Sequence, residues 1–199
     1  MKKRAMKIAR GYDPKTQGRI GLFAAQFDDQ LARLKKEVVS LTVEQLEWQQ
    51  KPGMNTVGML LAHLSLVEVW WIKIAPNQIE WEPEGKAIIV KTLGIEDDGL
   101  PLPAEGVHPA YLKGFTAEKY LAILAKGRRV IYTEMKKWRD KDLDKLYTLA
   151  KTNHFSRTWT LYHVLEHFAT HFGQILLVKH LMRDAGVLEK AKLPTLQKS

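Results

Sequence analysis

Four long segments of this chain repeat apolar residues every three or four positions, and this spacing limits the possible folds more than any other feature. In the first segment, about residues 17–40, the apolar positions are Ile20, Phe23, Phe27, Leu31, Leu34 and Val38. Residues three and four apart share one face of an α-helix, so the spacing predicts an amphipathic helix. Similar patterns predict helices over about 55–75, 116–138 and 156–184. Four such helices are typical of an all-α four-helix bundle.

A long connection separates the second predicted helix from the third. Residues 76–115 are rich in proline and glycine, and "KAIIVKTL" within them is compatible with either a short helix or a strand. A segment of this length in a compact domain is usually functional or a crossover. We therefore expect a long irregular connection between helices two and three, and no ladder of strands.

Length and composition favour a single globular domain. The chain has 199 residues, of which 45% are hydrophobic, enough for a sizeable core. The sequence contains no run of 18 or more apolar residues, so we predict no membrane span. The basic N-terminus lacks the apolar stretch of a signal peptide. We predict a cytoplasmic protein with a flexible basic arm over residues 1–15, one domain over residues 16–190 and a tail over residues 191–199.

The chain contains no cysteine and carries a net charge of +9. The lack of cysteine excludes disulfides and thiolate ligands, so any metal site must use histidine and carboxylate. A basic surface attracts nucleic acid or anionic small molecules. However, no nucleic-acid-binding motif accompanies the basic residues. They are scattered, as at Lys126, Arg128, Arg129, Lys136, Lys137 and Arg139. We predict that they form a solvated helix face, with no nucleic-acid partner.

Three histidines recur every four residues in "HVLEHFATHFGQ", at positions 163, 167 and 171. One metal cannot bind all three, because His163 and His171 lie about 12 Å apart along a helix axis and each nitrogen must approach the metal to about 2.0–2.1 Å. At 100° per residue, His171 lies roughly 80° from the centre of the apolar face, His167 roughly 120° and His163 roughly 160°. The later pair, His167 and His171, is therefore the better candidate for a metal site.

A further histidine, His63, falls in the middle of the apolar stripe of the second predicted helix. The stripe consists of Met59, Leu60, Leu66, Val67, Trp70 and Ile74. A buried polar group without a partner costs a few kcal/mol, so His63 either hydrogen-bonds like an ordinary core histidine or shares a metal with helix four. Three imidazoles from two helices would leave one coordination position open, as in catalytic zinc sites. Zn, Ni and Fe would all suit such ligands.

A different interpretation starts from the first of the three histidines. "HVLEH" matches the inverted zinc-protease pattern, with His163 and His167 as ligands and Glu166 as general base. Glu166 lies about 140° from the centre of the apolar face, so we expect it to face solvent. The rest of the sequence offers no separate helix with a third acidic ligand. We therefore disfavour the protease interpretation.

Two stretches together resemble the DinB superfamily, the DinB/YfiT-like metalloenzymes. "LTVEQLEWQQKPGMNTVGMLLAHLSLVEVWW" carries a Pro-Gly and Asn-Thr loop followed by an L-x-x-H helix, and "TWTLYHVLEHFATHFGQILLVKHLM" carries H-x-x-x-H-x-G-Q. The resemblance extends over about residues 17–182. It implies a four-helix bundle with a three-histidine metal site, which carries over onto His63, His167 and His171. It also implies a homodimer.

The resemblance suggests a reaction class as well, because some members look like S-transferases or isomerases that use a thiol such as bacillithiol or mycothiol. Our leading hypothesis is a metal-dependent transferase that acts on a small-molecule substrate with a thiol cosubstrate held at a divalent transition metal. The missing cysteine is compatible with an imported nucleophile. The alternatives are a metal-dependent hydrolase and a non-catalytic metal-binding stress-response protein. Trp70, Trp71, Trp159 and Tyr162 are either pocket walls or bundle core.

Overall fold

A computed structural model of the chain describes residues 5–96 and 102–189. These residues are mostly helical and include one small sheet. In chain order the elements are α1 (Gly18–Val38), α2 (Val43–Glu47), α3 (Val57–Val69), α4 (Lys86–Leu93), α5 (Ala117–Met135), β1 (Leu146–Leu149), β2 (Asn153–Ser156) and α6 (Arg157–Asp184). The predicted tail, 191–199, and residues 1–4 of the predicted arm lie outside the described residues. Within the rest of that arm, Tyr12 is buried against the helices.

The four helices predicted from the sequence correspond to α1, α3, α5 and α6. The two that carry the histidines begin at polar side chains that accept hydrogen bonds from the first helical turn. The backbone N–H of Met59 donates to the Thr56 hydroxyl over 3.0 Å at the start of α3, and that of Trp159 donates to the Ser156 hydroxyl over 3.1 Å at the start of α6. Such caps satisfy N–H groups that have no partner within the helix. The predicted starts of both helices are therefore confirmed.

Helix α3 lies at the centre of the molecule and contacts α2, α4, α5 and α6. Twelve of its thirteen residues are buried, and the exception is His63. The predicted single apolar stripe is therefore too narrow, because a helix that is apolar all round is buried all round. Length and composition alone would also allow the segment Val57–Asn77 to cross a membrane. However, 78% of its apolar window is buried inside the protein, as in the core helix of a globular domain.

The chain does not continue as a regular α-helix to residue 75. After α3 it widens into a π-helical turn at Trp70–Ile74 and then tightens into a 3₁₀ turn at Ala75–Asn77. A π-helical turn rotates the side chains that follow it relative to an unbroken α-helix, and such turns are frequent at functional sites. Here the turn carries Trp71, which packs beside the histidine helix α6.

The long connection after α3 is not irregular throughout, which corrects the prediction. The stretch "KAIIVKTL" forms the helix α4, and its residues Ile89 and Leu93 are buried. Since these two residues are four apart, they share one face and anchor α4 to the core. The helix ends at Gly94, whose φ of 74° is readily adopted by glycine.

The prediction of an all-α fold is wrong for one element, a two-stranded hairpin before α6. Strands β1 and β2 pair antiparallel, with Leu146 opposite Ser156 and Leu149 opposite Asn153. Each strand has only four residues, too few for an alternating pattern to be recognised. The turn also lacks the usual Asn-Gly signal, because Ala150 and Lys151 adopt the positive φ values of 48° and 65°.

A buried ion pair joins the central helix to α5. The Arg128 guanidinium donates two hydrogen bonds of 2.7 and 2.6 Å to the Glu68 carboxylate, and the two side chains are 4% and 2% exposed. The same guanidinium lies 5.2 Å from the ring centres of Phe27 and Phe168. Bidentate geometry and flanking rings satisfy both charges away from water. Glu68 faces away from His63, as its 140° separation on the helix predicts. Arg128 was predicted on a solvated helix face, and its burial in this ion pair corrects that prediction.

Removing one partner of this pair should strongly destabilise the protein. We expect Glu68→Leu and Arg128→Met each to lower the free energy of unfolding by about 3–5 kcal/mol, because each leaves a buried charge unpaired. The double variant Glu68→Leu/Arg128→Met should lose less than the sum of the two single losses. Urea unfolding measures all three. Arg33→Ala is the control, since Arg33 and Asp29 form an exposed pair at 4.0 Å whose loss should matter little. If the double variant instead lost the full sum of the two single losses, Glu68 and Arg128 would not be energetically coupled.

Candidate metal centre

The structure brings together the three histidines that the sequence singles out. His63 lies on α3, and His167 and His171 lie one turn apart on α6. The Nε2 atom of His167 is 3.2 Å from Nε2 of His63 and 3.0 Å from Nε2 of His171. One ring nitrogen from each residue lies within 4.8 Å of the other two. We refer to these three residues as the histidine cluster.

The spacing and chemistry of the histidine cluster fit a metal ion. Two nitrogens bound to one tetrahedral ion at 2.0–2.1 Å are about 3.3–3.4 Å apart, close to the 3.0 and 3.2 Å separations. A neutral ring nitrogen either donates one hydrogen or accepts through one lone pair. His167 Nε2 therefore cannot form a full hydrogen bond to both neighbours, whereas one cation would bind all three lone pairs. The cluster could thus hold a divalent metal.

The cluster is neither sealed nor completed by a fourth ligand from the described chain. All three histidines are partly exposed. Over residues 5–96 and 102–189, no cysteine, aspartate, glutamate or further histidine joins the group. An ion bound there would keep at least one coordination position for a molecule from solution.

The electrostatic environment keeps His167 neutral at physiological pH. Burial, together with the neighbouring His171, His63 and His163, lowers the pKa of His167 to about 3. A neutral imidazole has a lone pair available for a metal, whereas a protonated one has none. The surroundings of His167 therefore favour the protonation state that ligation requires.

Gln174 fixes the orientation of His171. The side-chain oxygen of Gln174 accepts a hydrogen bond of 2.7 Å from His171 Nδ1, so Nδ1 carries the hydrogen and Nε2 is left with a lone pair. Such partners hold a metal-binding histidine in the correct tautomer and raise its basicity. Sequence reasoning gave Gln174 no role, although its position three residues after His171 places the two side chains on neighbouring turns.

His163 does not join the histidine cluster, and it does not simply face solvent as predicted. Its side chain is 24% exposed, and Nδ1 lies 3.1 Å from the Glu166 carboxylate. The ring stacks on Trp159 at 4.7 Å and packs edge-on against Trp71 at 5.1 Å. Glu166 is exposed, as its position on the helix predicts. The structure thus separates His163 and Glu166, two members of the protease pattern, from the cluster.

An aromatic cluster formed by Trp71, Phe155, Trp159 and His163 lies beside the histidines. The ring centres of Trp71 lie 5.3 Å from those of both Phe155 and Trp159, and the His163 ring is 5.8 Å from that of His167. Phe155 belongs to the hairpin, so its place here could not be predicted once the hairpin was missed. Trp159 is 36% exposed. The aromatic cluster therefore offers an apolar wall next to the candidate metal centre.

The other two aromatic residues proposed as pocket walls lie elsewhere. Trp70 packs edge-on against Trp81, with ring centres 5.2 Å apart. Tyr162 is 53% exposed on the outer side of α6. Of the four residues, only Trp71 and Trp159 are part of the aromatic cluster.

A helical domain with histidines converging from α3 and α6 is the arrangement that the family resemblance implies, and sequence comparison supports it. The profile of the DinB superfamily matches residues 26–175, which are 150 of the 199 residues. The chain therefore belongs to the DinB superfamily. The resemblance inferred from the two histidine motifs is confirmed.

One of two similar solved structures shares the fold of this chain. The conserved protein of a locus from Enterococcus faecalis is 16% identical, with a TM-score of 0.59 over 80% of this chain and 94% of that chain. A DinB-like protein from Bacillus cereus is 18% identical, with a TM-score of 0.49 over 91% of this chain and all of that chain. A comparison with curated proteins finds no match.

Replacing Gln174 by leucine should weaken metal binding without removing a ligand. We expect the affinity to fall about 10- to 100-fold, because His171 loses the partner that fixes its tautomer. Competition with a chromogenic chelator measures the affinity. Glu166→Gln is the matched control on the same helix, because Glu166 contacts His163 and not the histidine cluster. Equal affinities of Gln174→Leu and wild type would contradict the orienting role.

Acid should destabilise the metal-free protein through His167. In the unfolded chain this histidine takes up a proton near pH 6.5, whereas the folded protein keeps it neutral down to about pH 3. The unfolded state therefore binds more protons between these values, and stability falls as the pH falls below 6.5. Urea unfolding in the presence of a chelator should show that His167→Gln loses less free energy of unfolding than wild type between about pH 7 and about pH 5. The exposed His180→Gln should match wild type, and an unchanged slope in His167→Gln would refute the assignment.

Proposed function

We propose that this protein is a metal-dependent enzyme whose centre is held by His63, His167 and His171. The observation that supports this function is the convergence of three imidazole nitrogens from α3 and α6 without a fourth ligand from the described residues. Structural zinc sites are usually closed by four protein ligands, whereas catalytic sites keep a position for water or substrate. The partial exposure of all three histidines supports access from solution.

In this proposal α1, α3, α5 and α6 form a four-helix bundle. Helices α5 and α6 each contact both α1 and α3. Bundles commonly build metal sites from side chains on facing helices. The bundle would fix the relative positions of α3 and α6, and hence the distances within the histidine cluster.

We infer a transferase that uses a low-molecular-weight thiol as the most suitable reaction class. A divalent ion in the centre would act as a Lewis acid that lowers the pKa of a bound thiol or water. The chain contains no cysteine, so a thiol nucleophile would have to come from a cosubstrate. The aromatic cluster would hold the apolar part of the acceptor substrate, and Gln174 would keep His171 Nε2 directed at the centre. The net charge of +9 would attract an anionic cosubstrate.

Metal-dependent hydrolysis is the second candidate, and one observation favours it. The Glu166–His163 pair at 3.1 Å lies beside the histidine cluster, and hydrolysis requires a group that accepts a proton from water. A non-catalytic metal-binding protein is the third candidate, in which the ion would chiefly hold α3 and α6 together. The choice among Zn, Ni and Fe depends on metal supply as much as on these ligands.

We also propose that the protein forms a homodimer through the outer face of α6. Apart from the backbone of its own helix, no described atom lies within 4 Å of where a Cβ at Gly173 would stand. Tyr162 and Leu177 on the same side of the helix are 53% and 57% exposed. A second copy would cover these side chains, and light scattering after size exclusion would give the mass.

Metal content tests the ligand assignment. We expect purified wild type to hold about one ion per chain, because three neutral imidazoles bind divalent transition metals well. His63→Ala and His167→Ala should each lose most of it in elemental analysis. The control is His180→Ala, which removes an exposed histidine from α6 and should keep the metal. Stoichiometric metal in both cluster variants would refute the assignment.

The reaction class is tested with the metal-loaded protein. Wild type should convert at least one pair from a panel of low-molecular-weight thiols and electrophiles, and His167→Ala should not. Thiol consumption and product mass provide the two readouts. Hydrolysis of an electrophile without thiol consumption would favour the second candidate, and no turnover by a metal-loaded protein would favour the third.

A further inference from the structure

A cavity of about 340 Å³ opens between α5 and the π-helical turn that follows α3. We refer to it as the basic pocket. Its lining includes Lys73 from the π-helical turn, Lys126, Arg129 and Val130 from α5, and Lys137 just after the end of α5. None of its lining residues belongs to the histidine cluster or to α6. The basic pocket is therefore a feature separate from the candidate metal centre.

The helical repeat explains why the α5 cations meet at one place. At 100° per residue, Lys126 and Arg129 lie roughly 60° apart around the axis of α5, and Lys137 follows just after the helix ends. Val130 lies roughly 40° from Lys126 and supplies an apolar part of the wall. Lys73 approaches from the neighbouring element, so four cationic side chains surround one concavity.

Most of this positive charge has no acidic partner within the described part of the chain. Lys137 donates a hydrogen bond of 2.6 Å to Glu134, the one carboxylate among the described residues that line the pocket. Among the residues that the structure describes, no carboxylate oxygen lies within 4.0 Å of the charged groups of Lys73, Lys126 or Arg129. Other cations are paired, such as Lys179 with Glu37 at 2.6 Å. Like charges around a concave surface raise the local potential and favour a bound anion.

We propose that the basic pocket binds a phosphate ester of a small organic molecule. The planar guanidinium of Arg129 matches two phosphate oxygens, and the lysine ammonium groups add point charges. The volume of about 340 Å³ lies near the lower end of small-molecule sites, roughly 300–1,000 Å³. This space exceeds what a phosphate group alone fills, and Val130 and the lysine methylene stems can contact the organic part.

The shape of the site favours a small molecule over a nucleic acid. A nucleic-acid strand requires cations along an extended track, because each contact neutralises one phosphate. Here the unpaired cations converge on one cavity instead. The sequence predicts a solvated basic helix face. The structure adds that Lys126 and Arg129 of α5, together with Lys137, share a concavity with Lys73.

Isothermal titration with pyrophosphate, a stable probe of the proposed chemistry, tests this site. We expect saturable binding to the full-length wild type. Lys126→Ala/Arg129→Ala should bind about tenfold or more weakly, because two charge-assisted contacts are lost. The matched control is Lys36→Ala/Lys91→Ala, which removes the same charge from two exposed lysines outside the pocket and should bind like wild type. Circular dichroism checks that both double variants fold.

Pyrophosphate also binds metal ions, so the titration is repeated on His167→Ala. Unchanged binding in that variant would locate the anion away from the candidate metal centre, and its loss would overturn the proposal. Absence of saturable binding to wild type, or equal weakening in the two double variants, would also overturn it. Competition with a fluorescent DNA duplex provides a further test. Tight duplex binding that pyrophosphate does not reverse would assign these cations to a nucleic-acid backbone and contradict the proposal.

Discussion

The burial of α3 on nearly all sides determines how the rest of the chain is arranged. A helix in this position can carry an ionisable side chain only where another helix supplies a partner. Glu68 meets Arg128 of α5, and His63 meets the two histidines of α6. The two polar residues lie about 140° apart around the helix. Their partners therefore fix both the rotation of α3 and its position along its axis, and they place α5 and α6 on different sides of it.

Hydrophobic periodicity predicted the bounds of the helices that have one exposed face. It was less successful for the segment that is buried on nearly all sides. Helices α1, α5 and α6 begin and end within a few residues of the predicted bounds, because their polar and apolar faces alternate clearly. Helix α3 is buried on nearly every side, so the sequence gave no sign of where it changes into the π-helical turn at Trp70–Ile74. The hairpin was missed for a different reason: its strands are short, and Ala150 and Lys151 form a turn usually built from glycine or asparagine.

In the candidate site, too, the features that depend on local sequence spacing were predicted, and those that depend on long-range packing were not. Angles around α6 ranked His167 and His171 above His163, since those angles depend only on sequence spacing. The partner helix and His63 followed from the family motifs and from the cost of burying an imidazole. The covering of His163 by Trp71 could not be predicted, because it depends on the π-helical turn and on the hairpin residue Phe155 packing together. Hydrophobic periodicity does not predict where the side chains of irregular backbone segments lie.

The absence of sulfur from the histidine cluster has a consequence for how such a centre would respond to chemical stress. Thiolate ligands are lost when peroxide converts them to sulfenic or sulfinic acids, whereas imidazole nitrogens do not undergo that conversion. A centre built from His63, His167 and His171 alone would keep its ligands in an oxidising cell. Protons, which compete for the same lone pairs, would be the agent that empties it.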